Sequence, residues 1–527
     1  LSIRSTGDVT GDSSEGIYAR NYGTNLTIAA TSVSGGIGIN ALNEGSGSLS
    51  VTATGHVTGN TDMGIYARNS GTDLTISVAA VSGETDGIYA HNNGSGTLSV
   101  TASGAVTGTS RYGIYAHNTS NGAGLTVSTA SVSGRLNGIV ATNYGSGALS
   151  IRSTGSVTGG NHGIVADNYS GTDLTISATS VSGGFGIYAR NRGTGDLSVT
   201  ATGPVAGTTM GGIFTMNDST GKNLDITVGD VTGATYGIDA NNRGTGALSV
   251  TATGTVTGTG GDGVFAANNG TDLTISTASV SGSRHGIYAD NNGTGTLSVT
   301  TSGAVSGGTG AAIQTSSNTG SAVAITLLST SSVRSTSGTA IVDGRGNAVV
   351  TINAGAVVNG SISLGAGNDT LNIMAGASLD GLTTLDGGSG AFVDTLNLGR
   401  SWDGVISGWE TINLNPGAGD FSISGPILGT VPLTKTGTGT MTLSGVNTFT
   451  GGTTISQGTL VGNTQSFGTG DIVNNASLVI DQTTDANFGL VISGTGSLTK
   501  TGSGTLTLTG VSSFSGGTTI SSGSLIA

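Results

Sequence analysis

One six-residue phrase returns along the first part of the chain at a nearly constant interval. Gly16-Ile17-Tyr18-Ala19-Arg20-Asn21 recurs at Gly64–Asn69, Gly87–Asn92 and Gly286–Asn291. Degenerate copies open at Gly38, Gly113, Gly138, Gly163, Gly186, Gly212, Gly237 and Gly263. Successive copies lie ~22–26 residues apart, and a steady period in the twenties is the signature of a solenoid. Such a chain builds a narrow continuous core, coil on coil, and not one globular core.

Each step holds two further short strands. One begins at Leu26, Leu49, Leu74 or Leu98, with a branched residue two places on; the other is a Val-Ser-Gly or Val-Thr-Gly phrase at Val33, Val57, Val81 and Val106. Apolar and polar residues alternate within each strand, which marks β structure and not helix. The expected fold is therefore all-β: a parallel β-helix with three strands per coil of about 22–26 residues. Alternation also assigns faces. Ile17 and Ala19 face in, so Tyr18 and Arg20 face out. The sixth residue of the phrase is Asn in all twelve copies. Stacked Asn side chains can satisfy turn backbone and one another, so an asparagine ladder is expected.

Composition narrows the function. The 527 residues include 98 Gly, 4 Pro and no Cys, and only 9% are charged. High glycine alone can signal disorder, but the apolar residues are periodic. About 21 coils, each one strand spacing from the next, make a rod of roughly 100 Å. The net charge of −13 excludes a basic stripe able to neutralise phosphates, so nucleic acid is not expected as a partner. Zero Cys excludes disulfides, thiol catalysis and Cys-based zinc sites. No apolar run is long enough to span a bilayer as a helix. The chain opens and stops inside repeats, and is read as part of a longer polypeptide.

Three regions follow. Residues 1–310 form the regular array, in which two coil types alternate as a paired unit. Residues 311–432 lose the phrase but keep alternating strands, as in Val349–Asn353, Asp369–Ile373, Asp394–Leu398 and Glu410–Leu414. Pro416, Pro426 and Pro432 make 415–432 the expected kink or boundary. Residues 433–527 carry a longer repeat: Leu433-Thr434-Lys435-Thr436-Gly437 returns as Leu498-Thr499-Lys500-Thr501-Gly502, and Phe449–Ile455 returns as Phe514–Ile520. The interval from Leu433 to Leu498 is read as enough chain for about three coils. Lys435 and Lys500 share a repeat position and are read as structural.

This last pattern resembles the autotransporter-associated β-strand repeat. Leu364–Leu371, followed by Trp409–Leu414, is also similar to autotransporter passenger sequence. The resemblance implies a right-handed β-helical passenger of a type V secreted protein. It implies transport through a C-terminal β-barrel outside this chain, and a place on the cell surface or release from it. Many such passengers are adhesins or drive autoaggregation, while some carry protease or esterase domains.

Catalytic signals are weak. The acids are scattered, and Asp73, Asp173 and Asp272 take equivalent turn positions where Asp is a usual former. Neither a Gly-Asp-Ser-Gly motif nor a Gly-x-Ser-x-Gly elbow is present. His91 and His117 share an outward position and are read as solvated residues and not a metal pair. Gly365–Leu371 is near to a calcium-binding nonapeptide, but its only echo, at Gly387–Gly390, has its acid, Asp394, displaced; a plain glycine turn is the reading. Paired threonines such as Thr52 and Thr54 are too intermittent for an ice-binding face. No catalytic residue, metal ligand or cofactor is expected.

The one line of large outward side chains is Tyr18, Tyr66, Tyr89, Tyr115, Tyr188, Phe214, Phe265 and Tyr288, with Arg20, Arg68 and Arg190 beside it. Asn40, Val140, Val165 and Asp239 interrupt it. Two readings stand. The rings stack only to stabilise the sheet, or they form a binding strip of low-entropy anchors. The expected function is a surface adhesin or self-association rod. Its partners would be host surface or matrix glycans and proteins, or an identical passenger, with membrane attachment only through the absent barrel. The alternative is a β-helical polysaccharide lyase or hydrolase, which a set of acids beside an Arg in a groove would favour.

Overall fold

A computed structural model describes residues 1–415 and 417–527. Among them there is no helix, and all the strand pairs whose register is defined are parallel. Pro416, one of the three prolines in the expected boundary, lies outside the described residues. The chain divides into two compact units, Leu1–Gly295 and Thr296–Ala527. Both are parallel β-solenoids.

In the first unit each recurrence of the phrase lies on the one before it, in register. Ile65, Tyr66, Ala67 and Asn69 pair with Ile88, Tyr89, Ala90 and Asn92, and those with Ile114, Tyr115, Ala116 and Asn118. The Leu and Val strands stack in the same way, Leu74 on Leu98 and Val81 on Val106. Ile17 and Ala19 are buried while Tyr18 is 53% exposed, so the alternation points as the sequence requires. The glycine that opens the phrase is a steric necessity. A Cβ at Gly64 would collide with Val81 Cγ1 and stand 2.7 Å from the Gly87 carbonyl oxygen of the next coil.

Not every coil keeps three separate strands. In six coils the Leu and Val strands fuse into one bent strand, for example Leu49–Gly59 and Leu74–Gly83, then Leu149–Gly159 and Leu174–Gly183, then Leu248–Gly258 and Leu273–Gly282. Register shifts mark the bend, as between Ala53 and His56. Fused and unfused coils alternate two by two, so a four-coil rhythm overlies the paired-coil unit.

The amide ladder is complete across the phrase. Nδ2 of Asn21 donates to Oδ1 of Asn43 at 2.7 Å, Asn43 to Asn69 at 2.8 Å, Asn69 to Asn92 at 3.0 Å, and the relay runs on through Asn143 and Asn168 to Asn291. Each amide also serves its own turn; Asn143 donates to the Gly147 carbonyl at 2.9 Å and accepts from the Gly145 N–H at 3.2 Å. All are buried.

The second unit continues the same construction without the phrase. Val350, Leu371, Leu396, Ile412 and Leu433 form one inward column. The pairing runs through the proline-rich stretch, with Ile412 on Leu433 and Phe421 on Met441. Towards the C-terminus the coils are shorter than those of the first unit, as the steps Met441 to Leu460, Leu460 to Leu478 and Leu478 to Leu498 show. The long repeat therefore spans three coils and one further side. Leu433–Lys435 pairs with Thr453–Ile455 on one sheet, whereas Leu498–Lys500 pairs with Leu478–Ile480 and Thr518–Ile520 on the next.

Lys435 and Lys500 are nevertheless housed alike. Both are fully buried. Lys435 Nζ donates to the carbonyls of Thr436, Gly437 and Gln457 at 3.0, 2.8 and 3.0 Å. Lys500 Nζ donates to those of Thr501, Gly502, Ser522 and Gln482. The cage follows the repeat and not the face. Burial pushes the Lys435 ammonium below its ordinary pKa, and carbonyl dipoles take the place of a carboxylate partner.

Two outcomes follow. Asn143→Ala orphans the Asn118 donor and the Asn168 acceptor and should destabilise the first unit by roughly 2–4 kcal/mol, read as hydrogen-exchange protection lost in the flanking coils. Lys435→Met leaves buried carbonyls unpaired and should cost about 2–4 kcal/mol in denaturant unfolding of the second unit.

Candidate functional site

In-register stacking puts the residues of the outward column one strand spacing apart. Rings at that spacing can stack directly. Tyr66 and Tyr89 have centroids 5.3 Å apart at 22°, and Tyr89 and Tyr115 4.9 Å apart at 13°. Tyr188 and Phe214 stack at 4.9 Å, and Phe265 and Tyr288 at 5.4 Å. The column is thus three stacked blocks and a separate Tyr18, which Asn40 parts from Tyr66. Val140 and Val165 separate the first two blocks, and Asp239 the second and third.

Beside the gap at Val140 the rings continue sideways through His117 to Tyr144 and Tyr169, two residues that sequence reasoning passed over. Tyr115 lies parallel to His117, His117 meets Tyr144 at 5.4 Å, and Tyr144 stacks on Tyr169 at 4.2 Å. The Arg192 guanidinium then sits over the Tyr169 ring at 4.2 Å. On the other flank Tyr112 stacks on Tyr115, and Phe185 and His162 meet Tyr188. Tyr144 and Tyr169 follow the ladder Asn, and Tyr112, His162 and Phe185 precede the phrase glycine. The strip is three columns wide.

His91 and His117 are half-buried and packed edge to face at 4.7 Å. This corrects their reading as solvated residues. Burial lowers both pKa values, and the opposing imidazole adds to the effect at His91. Arg20 meets Glu44 of the next coil at 2.8 Å, and Arg190 meets Asp218 at 3.4 Å with Arg192 alongside. The exposed Arg20–Glu44 pair adds little stability and the Arg190–Asp218 pair is half-buried, but both fix guanidinium groups at the strip's edge. Within it, burial pushes Asp239 up to about 6, against a hydrogen bond from Asn241.

The calcium-like stretch is something else. Asp394 is not displaced from Asp369: its Oδ1 accepts the Asp369 backbone N–H at 2.8 Å. Asp369 in turn accepts from the Ala348 N–H at 2.6 Å, and Glu410 accepts from the Asp394 N–H at 2.8 Å. Asp343, Asp369 and Asp394 are all buried. Asp369 and Asp394 each cap a backbone donor of an adjacent coil. Among the described residues no group of three His, Asp or Glu side chains is placed to hold a metal ion.

A family model of the passenger-associated transport repeat matches residues 433–461 and 498–527, a small part of the chain. No curated protein and no solved structure matches. The two segments are the repeats that carry the buried lysines. Together with the parallel β-solenoid they support an autotransporter passenger, and the repeat family implies a secreted, surface-displayed protein.

The acid column has a pH signature. Burial pushes Asp369 up to about 7, with Asp394 and Asp343 adding repulsion, and pushes Asp394 up to about 6, with Glu410 and Asp386 adding to it. Folded pKa values above the unfolded value of about 4 mean the stabilisation is full in acid and fades as pH rises towards 7. Asp369→Asn should therefore match the wild type near pH 4 and exceed its stability by about 2–4 kcal/mol at pH 8. Urea unfolding across that range checks the sign.

Proposed function

We propose that this chain is an adhesive passenger region, and that the outward aromatic and basic strip of its first unit is the contact surface. The observation that carries the reading is the strip itself. It is a row of three stacked blocks of large rings, edged by fixed guanidinium groups, on a surface otherwise made of Ser, Thr, Asn and Gly. Stacked rings are held rigid before contact, so little side-chain freedom is lost on binding. Their faces are covered by one another, which leaves edges and hydroxyls turned outward. Such a row suits a partner that offers many weak polar contacts in sequence, each of ~1 kcal/mol net. Host surface glycans and matrix proteins have that character, as does an identical passenger. Stacking for stability and presentation for binding are compatible roles of the same rings.

The test separates them. Tyr66, Tyr89 and Tyr115 are replaced together by Ser, and the passenger is displayed on cells behind an outer-membrane anchor. Matrix binding and cell clumping should fall several-fold, with the far-UV circular dichroism unchanged. Full adhesion in the triple variant would leave the rings only a stacking role.

A further inference from the structure

The second unit holds a cleft of about 370 Å³ that the adhesive reading does not use. Three successive coils build it. Asp380 comes from the first, Arg400, Trp402 and Asp403 from the second, and Ser422 and Ser424 from the third. The Ser401 hydroxyl accepts the Ser422 N–H at 3.0 Å and ties the last two together. At Gly404 a Cβ would collide with Trp402 Cζ2, so glycine there is what lets the indole seat against the backbone.

We propose that this cleft binds one ring of a neutral oligosaccharide. Its volume lies at the small end of ligand sites, which run from ~300 Å³ upward, and suits a single sugar ring. Its lining is the set that polyols need: two carboxylates to accept from vicinal hydroxyls, a guanidinium and serine hydroxyls to donate, and an indole wall. An independent observation concerns Trp402. The residue is 4% exposed, and its indole N–H has no acceptor among the described residues. The other tryptophan, Trp409, donates its N–H to the Leu385 carbonyl at 3.1 Å. A buried donor without a partner is uncommon and calls for an explanation; the N–H is closed to solvent, so a sugar hydroxyl becomes its acceptor when the indole edge turns into the cleft on binding.

Charge selects among sugars. Two carboxylates and one guanidinium line the cleft, and Arg400 already donates to the carbonyls of Ala377 and Ser401. A uronate is therefore disfavoured against a neutral hexose. The cleft also meets the condition set for a polysaccharide-cleaving alternative, acids beside an Arg in a groove. Neither Asp380 nor Asp403 is buried, however, and glycosidic cleavage needs one carboxyl held protonated by apolar surroundings. Binding without turnover is the reading.

The test exploits there being only two tryptophans. In the whole chain labelled with ¹⁵N-tryptophan, the two indole N–H signals are assigned by Trp402→Phe. Gluco-, manno- and galacto-hexaoses are titrated alongside oligogalacturonate. The expected result is that a neutral hexaose moves the Trp402 signal and not that of Trp409, that oligogalacturonate moves neither, and that Asp403→Asn and Asp380→Asn each raise the Kd at least tenfold with circular dichroism unchanged. No shift with any neutral sugar, or an unchanged Kd in both variants, overturns the proposal. Release of shorter sugars overturns the claim of binding without turnover. The strip of the first unit is untouched by these variants, so the adhesive reading and this one fail separately.

Discussion

Registered stacking of one coil on the next is the constraint from which the other features derive. A β-solenoid has no large globular core. Each inward Leu, Ile or Val is covered mainly by its counterparts above and below, such as Leu98 between Leu74 and Leu125. Turn backbone that would otherwise be buried unpaired is satisfied by the Asn relay, whose links range from 2.7 to 3.1 Å. A one-residue slip would turn every inward side chain outward, and it would also break the amide relay. Hydrophobic pattern and hydrogen bonding therefore specify the same register.

Most of the first unit is legible in the sequence because coil and repeat coincide there. Position in the phrase equals position on the face, so Tyr18 outward, Ile17 inward and Asn21 in a ladder can all be read by counting. In the second unit the coincidence ends. The interval from Leu433 to Leu498 is not a whole number of the shorter coils, so the repeat rotates by one side, and periodicity alone does not reveal on which face a residue falls. The lysines remained readable, because their cage is local: the carbonyls one, two and 22 residues on serve both Lys435 and Lys500.

The side columns of the strip were missed for a different reason. Tyr112, Tyr144, Tyr169 and Phe185 lie at the margins of the phrase, where turn residues are expected and aromatic ones are not sought. The same counting, applied one place before the glycine and one place after the Asn, would have found them. The Asp380, Arg400 and Ser422 cleft was not legible at all. Its residues come from three coils of unequal length and share no repeat position. Asp394 looked displaced because a glycine-rich turn was matched by spacing, whereas its carboxyl reaches the Asp369 N–H across a loop of different length.

The amide relay has a direction. Every link in the first unit runs from Nδ2 of one coil to Oδ1 of the following one, as from Asn118 to Asn143 and from Asn143 to Asn168. The side-chain dipoles thus point the same way and add, as peptide dipoles do along an α-helix. Backbone bonds between coils do not, since Ile17 donates forward to Gly38 while Glu44 donates back to Asn21. A fold usually regarded as electrically neutral along its length therefore carries an inner wire of aligned amides, with partial negative charge towards Asn21 and partial positive charge towards Asn291.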